Sequence, residues 1–411
     1  MEAQIKRRNT NKNVKKNSKN NKRKKIDKYV GRRVTALLII VAFILIVINL
    51  IFENDKEKIN DLKILYNNEE IKYADVVVDS EERIYFSIFD ITNIFDSNLY
   101  YNDAEKEIIT TFNKHVALLK VDETFMVVND SNINLSAEVK EFNNTVYVPI
   151  TDMELVYDIE VSYSEEENVL MLDSIDKEKK EAEVIKKTKV KEDKGLFKKT
   201  LEKIDVGSTV VVIEEVENYY KIRTENGNIG YVKSNKLSEV KSVRDDYVVQ
   251  KLPLNLFTKN TDVKVYENID FKENHLNVLN PAIINIDSNL KIATNAVVNT
   301  DNYSKYVNWA DEKNIYVMPT LKNSTSVSEC LMTYADRNKI INDLYVFLIK
   351  NKAKGVYIKF SEIDDVNSFY RFLIELTPKF KESGMYVIVE DNKVLDENKL
   401  ETIVDYVVEE K

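Results

Sequence analysis

Apolar residues are distributed along the chain in three regimes. From Val34 to Phe52 they run almost unbroken, VTALLIIVAFILIVINLIF, nineteen residues without a charged side chain and with only Thr35 and Asn49 clearly polar. Between about Leu62 and Val240 short β-branched runs alternate with polar positions, the period-two pattern of strands. Beyond about Asp262, strand-like runs (DVKVYE, LNVLNPAII, IYVMPTL, GVYIKF, MYVIVE and DYVV) take turns with helical stripes. Those stripes are Tyr303, Tyr306, Val307 and Ala310, then Ile340, Ile341, Leu344 and Leu348, then Val366, Phe369, Leu373 and Phe380. The expected architecture is multidomain: a single N-terminal transmembrane helix, two small β-rich domains, then an α/β incomplete (β/α) barrel.

The first regime reads as a membrane span. A helix of that length comes close to the ~30 Å hydrocarbon core and satisfies its own backbone groups. No small-x-small cleavage site follows, so an uncleaved anchor is expected rather than a signal peptide. Residues 1–33 hold 14 Lys and Arg against Glu2 and Asp27, a net of +12, whereas the whole chain is -9, which leaves -21 beyond the tail. Positive residues stay inside. The tail is therefore expected in the cytoplasm and the rest outside, as a single-pass protein of the cell membrane. The basic tail is read as a topology signal on the inner leaflet, with no nucleic-acid partner.

Composition removes several classes of chemistry. Cys330 is the only cysteine, so no disulfide framework is possible. His115 and His275 stand 160 positions apart, and no Cys/His cluster has metal-ligand spacing, which argues against a transition-metal site. No phosphate-binding loop, dinucleotide fingerprint, hydrolase elbow or zincin motif occurs, and no cofactor is expected.

The first exterior region, residues 62–174, contains a repeat. Residues 84–110, IYFSIFDITNIFDSNLYYNDAEKEIIT, match residues 146–172, VYVPITDMELVYDIEVSYSEEENVLML, at a constant offset of 62. Asp90 pairs with Asp152, Asp96 with Asp158, and Tyr101 with Tyr163. Each copy is expected to form strand, short helix, strand, acidic turn, strand. This resembles the paired repeat of the copper amine oxidase N-terminal-like domain, including its Val148-Pro149-Ile150 box. The glycine usual after the helix is missing. The resemblance implies a rigid, wall-facing module and, with His115 its only histidine, no copper.

A charged stretch, DKEKKEAEVIKK, reads as a linker to the second region, residues 187–240. There, Gly207 and the Asn226-Gly227 hairpin signal break the β-branched runs. Gly207, Val210, Val212, Tyr220-Lys221-Ile222 and Gly230-Tyr231-Val232 follow the order of a bacterial Src-homology-3-like (SH3-like) module. That resemblance implies peptidoglycan peptides as ligands, with Tyr219, Tyr220 and Tyr231 as candidate contacts.

The third region, residues 262–411, is similar to the catalytic domain of family 18 glycoside hydrolases, in the branch that acts on wall glycans of spores and cell envelopes. The resemblance rests on HLNVLNPAII, YVNWADEKNIYVMPTL and AKGVYIKFSEIDDVNSFYRFLIELTPKFKESGMYVIVE. In that family the fourth strand carries Asp-Gly-x-x-x-Asp-x-Glu, whose last Glu is the general acid and whose second Asp orients the substrate's acetamide. Here Lys354, Lys359 and Ser361 stand at the three acidic positions. A general acid contributes ~100 to 10,000-fold in rate, and a serine hydroxyl is no substitute for it. The chain also stops at Glu409-Glu410-Lys411, where the family continues into a Met-Ala-Tyr-Asp segment and two further strands.

The expected protein is thus a non-catalytic, membrane-anchored envelope protein of sporulation or division, a pseudo-glycosidase. Tyr357 and Lys359 in the old groove, helped by the SH3-like module, would bind peptidoglycan or another N-acetylglucosamine-containing glycan. The alternatives are an active wall-glycan hydrolase whose acid is Glu362 or Asp364, and a pure protein scaffold. With a first strand at Val263–Tyr266 and a last at Asp405–Val408, the open barrel is expected to be completed by self-association or by an envelope protein.

Overall fold

The computed structural model describes residues 62–79, 81–195, 197–245, 253–257 and 277–409. Among them no helix is long and apolar enough to cross a membrane, and residues 34–52 lie outside them. One compact unit takes in Lys63–Val76 and Arg83–Lys411, and the account below is confined to it.

The internal repeat folds as its spacing predicts. The first copy is Ile84–Ser87, the helix Ile88–Ile94, Tyr100–Asn102 and Glu107–Phe112; the second is Thr145–Pro149, a short helical turn over Ile150–Tyr157, Ile159–Ser164 and Val169–Ser174. The matched aspartates share a task, fastening the segment that packs beside each helix. Asp90 accepts the Ala74 and Asp75 amides at 2.6 and 2.9 Å, and Asp152 accepts the Ser136 amide at 2.9 Å. Where the family's glycine is missing, Asp158 itself takes the left-handed conformation, φ 50°, that closes the helix. Tyr100–Asn102 and Glu107–Phe112 of the first copy continue into His115–Lys120, Phe125–Val128 and Ser131–Asn134 as a five-stranded antiparallel sheet.

The charged stretch expected as a linker is instead a strand. Lys179–Glu183 pairs antiparallel with Thr209–Val216 and with Lys241–Arg244, so the barrel-like module is a seven-stranded sheet spanning 179–244, wider than 187–240 at both ends. Composition hid it because Ala182 is the strand's only buried apolar side chain, with Val184 following. No slack separates the two modules. Arg223 donates two hydrogen bonds to Asp173, at 2.7 and 2.5 Å, in a buried setting. Burial pushes the Asp173 carboxyl up, but the Arg223 hydrogen bond and charge outweigh it and hold it below the ordinary carboxylate range. That contribution to stability is present above the unfolded value and lost as pH falls through the folded one. Arg223→Ala is expected to cost about 2 kcal/mol at neutral pH, below the ~3–5 of a fully isolated buried charge because Lys179 stands 3.7 Å from Asp173. Urea midpoints at pH 7 and pH 3 check it: the deficit should shrink in acid.

The C-terminal region is built on parallel strands. Leu256–Phe257, Val278–Leu279 and Tyr316–Val317 pair in parallel, as do Ile284–Ile286, Thr320–Asn323, Gly355–Ile358, Tyr386–Glu390 and Tyr406–Val408. The two groups are one surface interrupted at Pro281 and Pro319, which have no N–H to give the ladder. Met318 and Thr320 amides still reach the Leu279 and Pro281 carbonyls at 2.9 Å. The expected first strand at 263–266 lies outside the described residues. Among the described residues Leu256–Phe257 flanks the sheet, ahead of the boundary expected at 262.

The three helical stripes all face one side of this sheet. The helices Asp301–Glu312, Tyr334–Lys350 and Val366–Glu382 bury them against its outer residues. Eleven of the seventeen residues of Val366–Glu382 are buried, more than one amphipathic face supplies. The excess is covered by the first module: Arg371 lies over the Tyr100 ring at 5.1 Å, Lys379 pairs with Asp130, and Asn129 reaches Glu382 at 2.9 Å.

Candidate functional site

On the concave face, Val278, Met318, Tyr357 and Ile388 are buried, with Tyr316, Tyr386, Tyr406 and Val408 packed beside them. Among the described residues none of the exposed large hydrophobic side chains lies on this face, whose Tyr316, Tyr386, Tyr406 and Val408 are half-buried. The Tyr386 and Tyr406 ring centroids are 6.2 Å apart.

Polar chemistry gathers at the C-terminal ends of the strands. Because side chains alternate, Tyr357 and Lys359 point the same way from one strand, and Glu390 does so from the end of its neighbour. The Tyr357 hydroxyl donates to Glu390 Oε1 at 3.0 Å, and Lys359 Nζ sits 2.7 Å from Oε1 and 2.5 Å from Oε2. Glu390 is 11% exposed and Lys359 40%, so the ammonium faces water while the carboxylate is held beneath it. Tyr357 is only 2% exposed, and its hydroxyl is spent on Glu390. Deeper in, the buried Asn280 donates to the Met318 carbonyl at 3.2 Å while its Oδ1 has no partner.

The three motif positions do not converge. Lys354 is exposed at the start of the strand, and Ser361 is exposed beyond its far end, its amide donating to Asn323 Oδ1 at 3.0 Å. Glu362 is exposed and its carbonyl accepts from Asn323 Nδ2 at 2.9 Å. Asp364 accepts from the amide and hydroxyl of Ser328, and those two bonds hold its carboxyl below the ordinary range. The carboxyls that burial pushes upward, Asp96 and Glu375, belong to the first module and to the helical layer. Glu390 is the residue that pattern reading missed. Its signal was available: it ends MYVIVE, the strand next to GVYIKF, at the same level as Lys359.

In the barrel-like module, Tyr219 pairs with Lys233 and Tyr231 with Lys221 across adjacent strands. Tyr219 and Tyr231 therefore share one face. Tyr220 is on the other, packed against the module's core with Ile222 and Val232. Among the described residues no group of three or more His, Cys, Asp and Glu side chains is placed to hold a metal.

Residues 65–172 match the copper amine oxidase N-terminal domain family. No curated protein matches the chain. Among solved structures, a chitinase from Bacteroides thetaiotaomicron is 15% identical, with a TM-score of 0.31, over 35% of this chain and 48% of its own. A Group IV chitinase from Ostrinia furnacalis in complex with allosamidin is 16% identical, with a TM-score of 0.31, over 37% and 47%. A class V chitinase from Pseudomonas fluorescens is 14% identical, with a TM-score of 0.32, over 36% and 51%. The chain spans about half the length of these proteins, and likeness at this level carries no inference about activity or ligand.

Proposed function

We propose that this chain is a membrane-anchored, non-catalytic envelope protein that binds peptidoglycan or another N-acetylglucosamine-containing glycan. The observation that carries the non-catalytic reading is the Tyr357–Lys359–Glu390 cluster. Glycoside hydrolysis needs a carboxylic acid that keeps its proton until the leaving group takes it. The carboxylate at this mouth is instead occupied by an ammonium and a phenol. Of the two candidate acids, Glu362 is exposed and Asp364 is held toward its ionised form by Ser328. What remains suits recognition: Lys359 supplies a solvent-facing donor, and Tyr219 with Tyr231 supply an aromatic face for a sugar or a stem peptide. The span at residues 34–52 and its basic flank support the anchoring half of the proposal.

The full chain in detergent, mixed with purified peptidoglycan, tests the glycan-binding and the non-catalytic readings together. Retention without release of reducing ends is expected. Tyr219→Ala combined with Tyr231→Ala should weaken retention about tenfold, equivalent to ~1.4 kcal/mol, and Lys359→Met should weaken it further. Glu362→Gln should leave everything unchanged. Turnover that disappears in Glu362→Gln or Asp364→Asn would replace this reading with that of an active hydrolase.

A further inference from the structure

Phe197 is 101% exposed, the most exposed large hydrophobic residue described, ahead of Val346 at 63% and Met332 at 62%. It stands at the tip of a hairpin. Thr188–Lys191 and Thr200–Ile204 pair antiparallel, and the Glu192 amide closes the connection on the Lys199 carbonyl at 3.0 Å. Lys191 Nζ braces the tip by donating to the Gly195 carbonyl at 2.9 Å. On that braced tip the Phe197 ring lies open to whatever the hairpin meets.

Its surroundings are basic. Residues 189–199 hold five lysines against Glu192 and Asp193, a net of +3 on an exterior that carries -21. Asp193 offsets Lys198 at 2.6 Å, and Glu217 reaches Lys194 only at 3.8 Å. An exposed aromatic ring on a hairpin of net positive charge matches the interface of an anionic bilayer, where rings settle at headgroup level and lysines meet lipid phosphates. We infer that the Phe197 hairpin tip docks onto an anionic lipid surface, a contact separate from glycan binding. It rests on the proposed span in one respect: a contact this small needs the high effective concentration that a tether on the same chain provides.

The test uses the full chain carrying Phe197→Trp, reconstituted into vesicles of phosphatidylglycerol and phosphatidylethanolamine, with the parent, whose only tryptophan is Trp309, as the blank. The difference emission is expected to shift to the blue and to be quenched by brominated acyl chains. Both effects should vanish in phosphatidylcholine vesicles and in a further variant with Lys194→Glu, Lys198→Glu and Lys199→Glu. A chain that partitions with the vesicles while position 197 emits as in water would overturn this inference alone. Failure of the chain to partition at all would overturn it together with the anchor. A blue shift given by a soluble polyanion and not by vesicles would also overturn it, pointing to a wall polymer.

Discussion

Replacing Arg337 by Leu should be among the most damaging single changes in the C-terminal region, costing about 3–5 kcal/mol. The Arg337 and Glu375 side chains are 3% and 1% exposed and meet through two hydrogen bonds, at 2.8 and 2.7 Å. The guanidinium also donates to the Leu331 and Met332 carbonyls at 3.0 Å each, tying down the turn before its helix. Truncation strands a buried carboxylate and two carbonyls together. Glu375 is already pushed above its ordinary range, by burial first, with Arg337 pulling it part of the way back. A carboxyl raised in the folded state contributes stability that is full below its unfolded pKa and is lost as pH rises through the folded one. Without Arg337 that loss deepens, so the variant should be nearer to the parent at pH 4 than at pH 7. Urea titrations at the two pH values measure it. The double variant Arg337→Leu with Glu375→Leu should recover most of the loss, since no charge is then left unpaired.

Gly355→Ala should be comparably severe. A Cβ there would lie 2.1 Å from the Tyr386 carbonyl oxygen and 2.8 Å from its amide nitrogen, both backbone atoms that no rotamer change can move. Gly355 and Tyr386 begin the pairing of two central parallel strands, and the same two strands lead to Lys359 and Glu390. Making room means separating the strands at their start. The expected cost is about 3 kcal/mol, the upper end for overpacking, with loss of the Lys359–Glu390 contact. A urea midpoint, together with glycan retention as in the Tyr219 and Tyr231 test, reads both effects.

Much of this fold was legible in the pattern of residues. The offset of 62 placed both copies of the repeat, because strand-helix-strand units with the same aspartate clamps need the same spacing. All three helical stripes face the sheet as read. The strand at Lys179–Glu183 was illegible for a physical reason: a strand whose exposed face is all Lys and Glu needs only one or two apolar residues inward, and its composition then looks like a linker. The candidate site was half legible. Tyr357 and Lys359 were singled out within the motif of one strand, whereas Glu390, which meets them, comes from the neighbouring strand, whose level is set by parallel register and is invisible within either segment alone. Tyr220 was grouped with Tyr219 and Tyr231 by residue type, and the pleat separates it from them.

The helix Val366–Glu382, buttressed by the sheet on one side and by Tyr100, Asn129 and Asp130 on the other, bears on how such a chain can evolve. A recombination event that delivered residues 253–411 to another gene would arrive with that helix stripped of Tyr100 above Arg371 and of Asp130 beside Lys379. The reverse transfer would leave the first module with the same groups facing nothing. Exchange is therefore favoured for a segment that carries both modules and everything between them, so that neither the helix nor the first module gives up its partner.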